Sequence, residues 1–344
     1  MRDPEVRFLR GRICVSVDRS HDTSVMITTT STELLRGESH IDGIAVSPRG
    51  RIALATSNLT GDLWDGSVVL VEGGSVETTI HTAAGNADVE WLGADTLVAG
   101  DDVGNLSVWV LEGNVSSTGQ APEVALELCG HLDPVSCVAG NSATNRVASA
   151  SADCTVRVWT VVQGSSASHM LEHAPAATSW RGCAVHSVGW LPDAEGLATC
   201  AADGVLRLWD LRASQPLVGC SSAFDAPLLS LATTASPQLV VGCEAGRLIL
   251  IDQRKLESPV VCTQAHDGAA CCLRLAPPQA DASALIASAS EDGTCLLVDP
   301  RDLQTVARVP GHTDYVRCAG TIAPRTTPVL LPQPHSPHPS PPIR

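Results

Sequence analysis

A nine-residue phrase recurs along the chain, and a unit repeated many times constrains the fold more than any local pattern. Its cleanest copy is Ala202-Asp203-Gly204-Val205-Leu206-Arg207-Leu208-Trp209-Asp210. Looser copies run from Asp102 to Trp109 and from Ala152 to Thr160, and two more, Ala245 to Asp252 and Asp292 to Asp299, carry an aliphatic residue in the Trp slot. The Gly slots fall at positions 66, 104, 154, 204, 246 and 293, separated by 38, 50, 50, 42 and 47 residues. Each phrase reads as a tight turn entering a strand. Gly tolerates positive φ, Asp bonds its own backbone, and apolar residues then alternate at period two, as in Val156 and Val158 or Leu206 and Leu208. A strand precedes each turn (Arg146–Ser149, Gly196–Thr199, Gln238–Val241, Leu285–Ser288) and another lies further upstream (His186–Trp190, Ala269–Leu273). No stretch holds a 3.6-residue apolar period, so the chain is all-β.

A period near 40–45 residues is that of a four-stranded propeller blade, and these residues resemble the WD-repeat β-propellers over roughly residues 40 to 320. The resemblance implies a seven-bladed ring. It also implies an architectural hydrogen-bond set in which the loop His131 of Gly130-His131 is held by Asp153 and braced by Ser149 or Ser151 and Trp159. Asp203 and Trp209 fill the same slots in the next copy, and Ala265-His266 and Gly311-His312 repeat the loop His. Blades read as 41–81, 87–128, 134–172, 185–221, 227–264 and 268–309, and Tyr315–Gly320 begins a seventh. That last blade is incomplete, because residues 324–344 hold eight of the 22 prolines and Pro cannot donate to a ladder. The tail reads as an altered or truncated end rather than as a docking peptide with Ser336 and Ser340 as phosphosites. The expected organisation is an N-terminal extension over 1–40, the propeller over 41–320 and a Pro-rich, disordered tail over 321–344. Of two strand-like runs in the extension, Ile13–Val17 and Ser24–Thr29, one supplies the strand that closes the ring.

A net charge of −15 argues against nucleic acid as a direct partner and is compatible with basic, Arg-rich protein partners or with acidity kept for solubility. Thirteen scattered cysteines, with no C-x-x-C pair, favour reduced thiols in cytoplasm or nucleus over a disulfide framework. The N-terminal residues lack an apolar signal core and no window reaches a membrane span. The sequons at Asn58 and Asn114 therefore carry no expectation of glycosylation. Nucleophile elbow, zincin, phosphate-loop and spaced Cys/His metal patterns are all missing, so no enzyme activity, catalytic residue, metal or cofactor is expected.

Function then lies where the repeat is irregular. The first blade departs most, with Ser57-Asn58-Leu59-Thr60-Gly61-Asp62-Leu63-Trp64-Asp65-Gly66-Ser67 where its sisters have a two-residue turn. This composition predicts a loop that carries Leu63 and Trp64 out of the strand slot, and an exposed aromatic there reads as an interface anchor. The run Ala55–Val68 resembles the first-blade loop of the methylosome WD-repeat subunit family, as do Ala87–Gly93, the Asp102-Val103-Gly104 turn and His312–Arg317. That family's members are non-catalytic partners of the type II protein arginine methyltransferase, which makes symmetric dimethylarginine on histones and spliceosomal Sm proteins. The resemblance implies a hetero-oligomer in which Trp64 enters the methyltransferase's N-terminal barrel, with Leu59, Leu63, Asn58 and Asp65 around it. A rival expectation is a substrate receptor of a cullin-type ubiquitin ligase, through Trp209-Asp210-Leu211-Arg212, with looser echoes ending at Arg254 and Arg301. An Arg two residues after the repeat Asp is also an ordinary turn residue.

Overall fold

The computed structural model describes residues 14–16, 40–60, 63–72, 75–111, 122–162, 165–173, 183–276, 284–309 and 315–321, with backbone alone at 14–16, 59, 60, 63, 162, 165–168, 309, 320 and 321. After a short strand β1 (Cys14–Ser16), the first blade is built from β2 (His40–Val46), β3 (Ile52–Thr60), β4 (Leu63–Glu72) and β5 (Ser75–Thr82). The second takes β6 (Asn86–Trp91), β7 (Thr96–Asp101), β8 (Asn105–Val110) and β9 (Leu126–Cys129). The third takes β10 (Val135–Asn141), β11 (Arg146–Ser151), β12 (Thr155–Val162) and β13 (Ser165–Glu172). The fourth takes β14 (Val185–Trp190), β15 (Gly196–Ala201), β16 (Leu206–Asp210) and β17 (Leu217–Cys220). The fifth takes β18 (Leu228–Thr233), β19 (Gln238–Cys243), β20 (Arg247–Asp252) and β21 (Val261–Gln264). The sixth takes β22 (Ala270–Leu275), β23 (Ile286–Ser290), β24 (Cys295–Val298) and β25 (Thr305–Val309), and β26 (Ala319–Thr321) follows.

Each blade is a meander, its four strands in chain order and antiparallel. The first strand of each packs against the first strand of the next, from β2 through β6, β10, β14, β18 and β22 to β26, and β26 returns to β2. The result is a β-propeller of six four-stranded blades with β26 as the inner strand at a seventh position. There β26 pairs in parallel with β1, Cys14 opposite Ala319 and Ser16 opposite Thr321. The run Ser24–Thr29, the Gly311-His312 copy of the loop His, the sequon at Asn114 and the tail with Ser336 and Ser340 lie outside the described residues.

The period-two alternation shows why blades must stack. Each sheet has two apolar faces, and neither can be buried except against a neighbouring sheet. Seven apolar clusters result, one at each blade boundary. Val68, Leu70, Val89 and Trp109 fill the first boundary, and Val156, Val158, Val188 and Trp209 the third. Cys272, Ala289, Val316 and Ala319 join the sixth blade to β26, and Ile41, Leu54 and Cys318 join β26 to the first blade.

All six complete inner strands carry an irregularity at the same place, near their first residues. The register slips between Ile41 and Gly43, Asn86 and Asp88, Val135 and Cys137, Val185 and Ser187, Leu228 and Ser230, and Ala270 and Cys272. A bulge leaves one residue outside the ladder and re-aims its side chain. The residues so released are Asp42, Ala87, Ser136, His186, Leu229 and Cys271, and Arg317 holds the matching position before β26. One side chain per blade is thereby taken out of the sheet pattern at one end of the central channel.

Candidate functional site at one mouth of the channel

The expected first-blade loop is instead a lengthened β-hairpin. β3 and β4 pair over nine positions, with Leu59 opposite Trp64 and Thr60 opposite Leu63, whereas β7 and β8 pair over five. Leu63 and Trp64 therefore belong to a strand, and only Gly61 and Asp62 separate the two strands in sequence. The physical reason is that the extension projects beyond the blade core. Asn, Thr, Gly and Asp dominate residues 58–65, so no apolar alternation marks it as a strand.

Register then places Trp64. Counting back along β4, Leu70, Val68, Gly66 and Trp64 share the face turned to the second blade, and Leu70 and Val68 are fully buried there. At the next step Gly66 lies so close to Ala84 O and Asn86 Nδ2 that a Cβ would stand 2.7 and 2.8 Å from them. One step further the Trp64 indole reaches across the boundary, lies against Gly85, and donates its Nε1–H to Asp102 Oδ2 at the turn between β7 and β8. The indole thus leans onto the neighbouring blade while 47% of its surface stays exposed. The sequence did not single out Asp102 as its partner. Asn58 pairs with Asp65 across the hairpin, and the side chains of Leu59 and Leu63 lie outside the described residues.

Trp64 forms part of the wall of a cavity of about 690 Å³ at this end of the channel, together with His40, Asp42, Ser57, Ala87, Asp102, His186, Cys271, Glu291 and Arg317. Four of these residues are the bulge positions of blades one, two, four and six. Asp42 accepts from Ser57 Oγ and is 3.3 Å from Arg317 Nη1. A second set comes from the turns between the second and third strands of the blades. Asp102, Ala152, Ala202, Glu244 and Glu291 occupy one equivalent turn position, each donating its backbone N–H to the loop that enters its own blade, at 2.9–3.1 Å. Burial pushes the Asp102 carboxyl above its usual value; the Trp64 N–H opposes this, and Asp42 and Asp101 add to it. Burial holds the His186 imidazole below its usual value, so this ring is neutral near pH 7.

The repeat set is assembled further out. His131 Nδ1 stands 2.9 Å from Asp153 Oδ2, and its Nε2 stands 2.8 Å from Ser149 Oγ, which also receives the Trp159 indole N–H at 2.9 Å. A carboxylate only accepts, so the imidazole proton sits on Nδ1 and Nε2 accepts from Ser149. Ser151 Oγ instead donates to Asp133 O. In the fourth blade Trp209 donates to Thr199 Oγ1, but Asp203 is taken by Arg207, which also points Nη1 at His173 Nδ1 from 3.1 Å. His173 was not picked out in the sequence because 11 residues separate it from β14, against three between His131 and β10. His266 repeats the set with Ser288 and Thr294, with an aliphatic residue in the Trp slot.

At the opposite end of the blades, Arg212 folds back on its own Asp210, with Nε and Nη2 each 2.9 Å from a carboxylate oxygen. Arg254 with Asp252 and Arg301 with Asp299 close the same turn. Among the described residues no group of three His, Cys, Asp or Glu side chains is gathered to hold a metal ion, and no helix is long and apolar enough to cross a membrane.

Residues 123–160 and 176–210 match the family of the WD domain, G-beta repeat. The SIR4-interacting protein SIF2 of Saccharomyces cerevisiae is 26% identical over 189 residues, covering 54% of this chain and 32% of that protein. Striatin-4 of Homo sapiens is 28% identical over 174 residues, 45% of this chain and 22% of that protein. The WD40 repeat-containing protein HOS15 of Arabidopsis thaliana is 28% identical over 159 residues, 42% of this chain and 26% of that protein. The chain spans less than a third of the length of each of these relatives.

Proposed function

Starting from a WD-repeat protein whose fold serves as a scaffold, we propose that this chain is the non-catalytic adaptor subunit of an arginine methyltransferase complex. It docks to a type II protein arginine methyltransferase by its first blade and helps present Arg-rich substrates, such as histones and spliceosomal Sm proteins. The observation that carries this reading is Trp64. A half-exposed indole on a lengthened hairpin, pinned by Asp102 before any partner arrives, offers a large apolar surface with little conformational entropy left to lose. The acidity of the chain suits basic substrates, whose capture long-range attraction accelerates in a salt-dependent way.

The test is a binding measurement with the purified methyltransferase. Trp64→Ala is expected to cost about 2 kcal/mol or more, roughly thirty-fold in Kd, while Arg212→Ala leaves binding unchanged. Undiminished capture by the Trp64 variant overturns the docking assignment. Loss of a ligase adaptor on Arg212→Ala would favour the rival reading.

A further inference from the structure

We propose that the cavity at the Trp64 end of the channel is a peptide site that receives the guanidinium of an arginine side chain from a basic partner segment. The inference deepens the reading of the protein as a presenter of Arg-rich substrates and rests on it, but not on which enzyme the first blade engages.

Shape comes first. The cavity, about 690 Å³, is open at the channel mouth and walled on one side by the Trp64 indole. A planar, weakly hydrated cation stacks on such a ring better than a compact ammonium does. Charge comes second. Among the wall residues Arg317 lies beside Asp42 and His186 is held neutral, whereas Asp102 accepts from the uncharged indole N–H and makes no ion pair among the described residues. Glu291 lies on the opposite side of the mouth, on the turn position equivalent to that of Asp102, and makes no ion pair among the described residues. Glu244 repeats that position in the fifth blade and acts electrostatically on His186. Blades three and four carry Ala152 and Ala202 there, so at this turn position the carboxylates fall on blades two, five and six.

The surroundings identify the ligand as part of a chain rather than a free amino acid. Val103 follows Asp102 and is 63% exposed, and Leu132, on the loop against which Gly104 packs, is 87% exposed. Tyr315, two residues before Arg317, is 49% exposed. Apolar side chains left in water around a charged cavity suit the residues on either side of an inserted arginine.

The experiment measures fluorescence anisotropy of a labelled Gly-Arg repeat peptide against the full chain, beside the same peptide with citrulline or lysine for arginine, and free arginine as competitor. Glu291→Gln and Glu244→Gln test the site, since both side chains are exposed and belong to the turns of blades six and five rather than to the first-blade hairpin. Glu257→Gln, on the turn after β20 at the other end of the blades, controls for net charge. The expected result is at least a ten-fold loss for the Glu291 and Glu244 double variant and for the citrulline peptide, a smaller affinity for lysine, no competition by free arginine at millimolar concentration, and no change for the Glu257 variant. Equal weakening by all three substitutions, or none, overturns the site while leaving substrate presentation standing. Failure of the unaltered chain to bind the Arg peptide at all overturns the presentation reading itself. Retained methyltransferase capture by the double variant separates both outcomes from the Trp64 contact.

Discussion

His131 and His173 occupy matching loop positions and carry their protons on opposite nitrogens. Asp153 fixes the proton of His131 on Nδ1, whereas the Arg207 guanidinium, a donor only, requires His173 Nδ1 to accept. A second proton on His173 would face that cation inside the fold. Burial first, and then Arg207, push its imidazole down to about 3, with Asp203 opposing. The unfolded chain binds the proton near 6.5, so the contribution of this residue to stability falls as pH drops from 6.5 towards 3. At pH 5 the loss is about 2 kcal/mol. The measurable form is a difference: the gap in unfolding free energy between the unaltered chain and His173→Gln should shrink by about that amount between pH 7 and pH 5. A gap independent of pH would show that His173 is not neutral in the fold. The same set predicts that Ser149→Ala, which leaves both the Trp159 N–H and His131 Nε2 unpaired in a buried site, costs about 2–3 kcal/mol in denaturant unfolding.

At the scale of the element, the lengthened β3–β4 hairpin stands apart from the blade core it grows from. Replacing Asn58–Asp65 by Asp-Gly, which closes the strands as in the other blades, should leave the unfolding midpoint nearly unchanged and abolish methyltransferase capture. Gly85→Ala is the subtler case. Its Cβ would stand 2.9 Å from Ser57 Cβ and closer still to the indole nitrogen and the Asp102 carboxylate, so the bond between them must open. Tryptophan quenching by acrylamide should rise and partner affinity fall about ten-fold, because the indole is no longer held in place before binding. The repeat spacing placed all six complete blades, since turn chemistry and period two are local and each blade repeats them. The hairpin was misread because Asn, Thr, Gly and Asp dominate it, and a strand without a core to face loses its alternation. Its one readable sign was Gly61-Asp62, a pair of the Gly-first type that closes two-residue hairpins. The bulge positions were legible only as a column: Asp42, Ala87, His186 and Cys271 share no chemistry, and their common aim follows from the ladder slip alone.

Across the whole molecule, the channel interior ties distant blades together. Arg274 of the sixth blade reaches Asp88 of the second at 3.3 Å, and the other Asp88 oxygen accepts the Val138 N–H of the third at 2.9 Å. Glu90 lies in the same interior, and desolvation raises its carboxyl to about 7 even though Arg274 pulls the other way; Asp88 adds to the rise. The sign is opposite to that of His173. An acid whose folded value lies above its unfolded one favours the fold below pH 4.5 and loses that advantage as pH rises through 7, about 3 kcal/mol in all. Between pH 4.5 and 6.5 the two groups act against each other with nearly equal slopes. His131, His186 and His266, which burial also holds below their usual values, add to the acid-side loss. The unaltered chain should therefore lose stability on acidification over that window, because Glu90 offsets only part of what the histidines lose. Glu90→Gln should steepen the decline on acidification and raise the unfolding midpoint at pH 8, whereas His173→Gln should make that decline shallower. Chemical denaturation at half-unit steps from pH 4.5 to 8 reads all three curves. If Glu90→Gln changes neither the slope nor the midpoint at pH 8, the carboxyl is ionised in the folded ring at low cost, and the channel is open enough to water to solvate it.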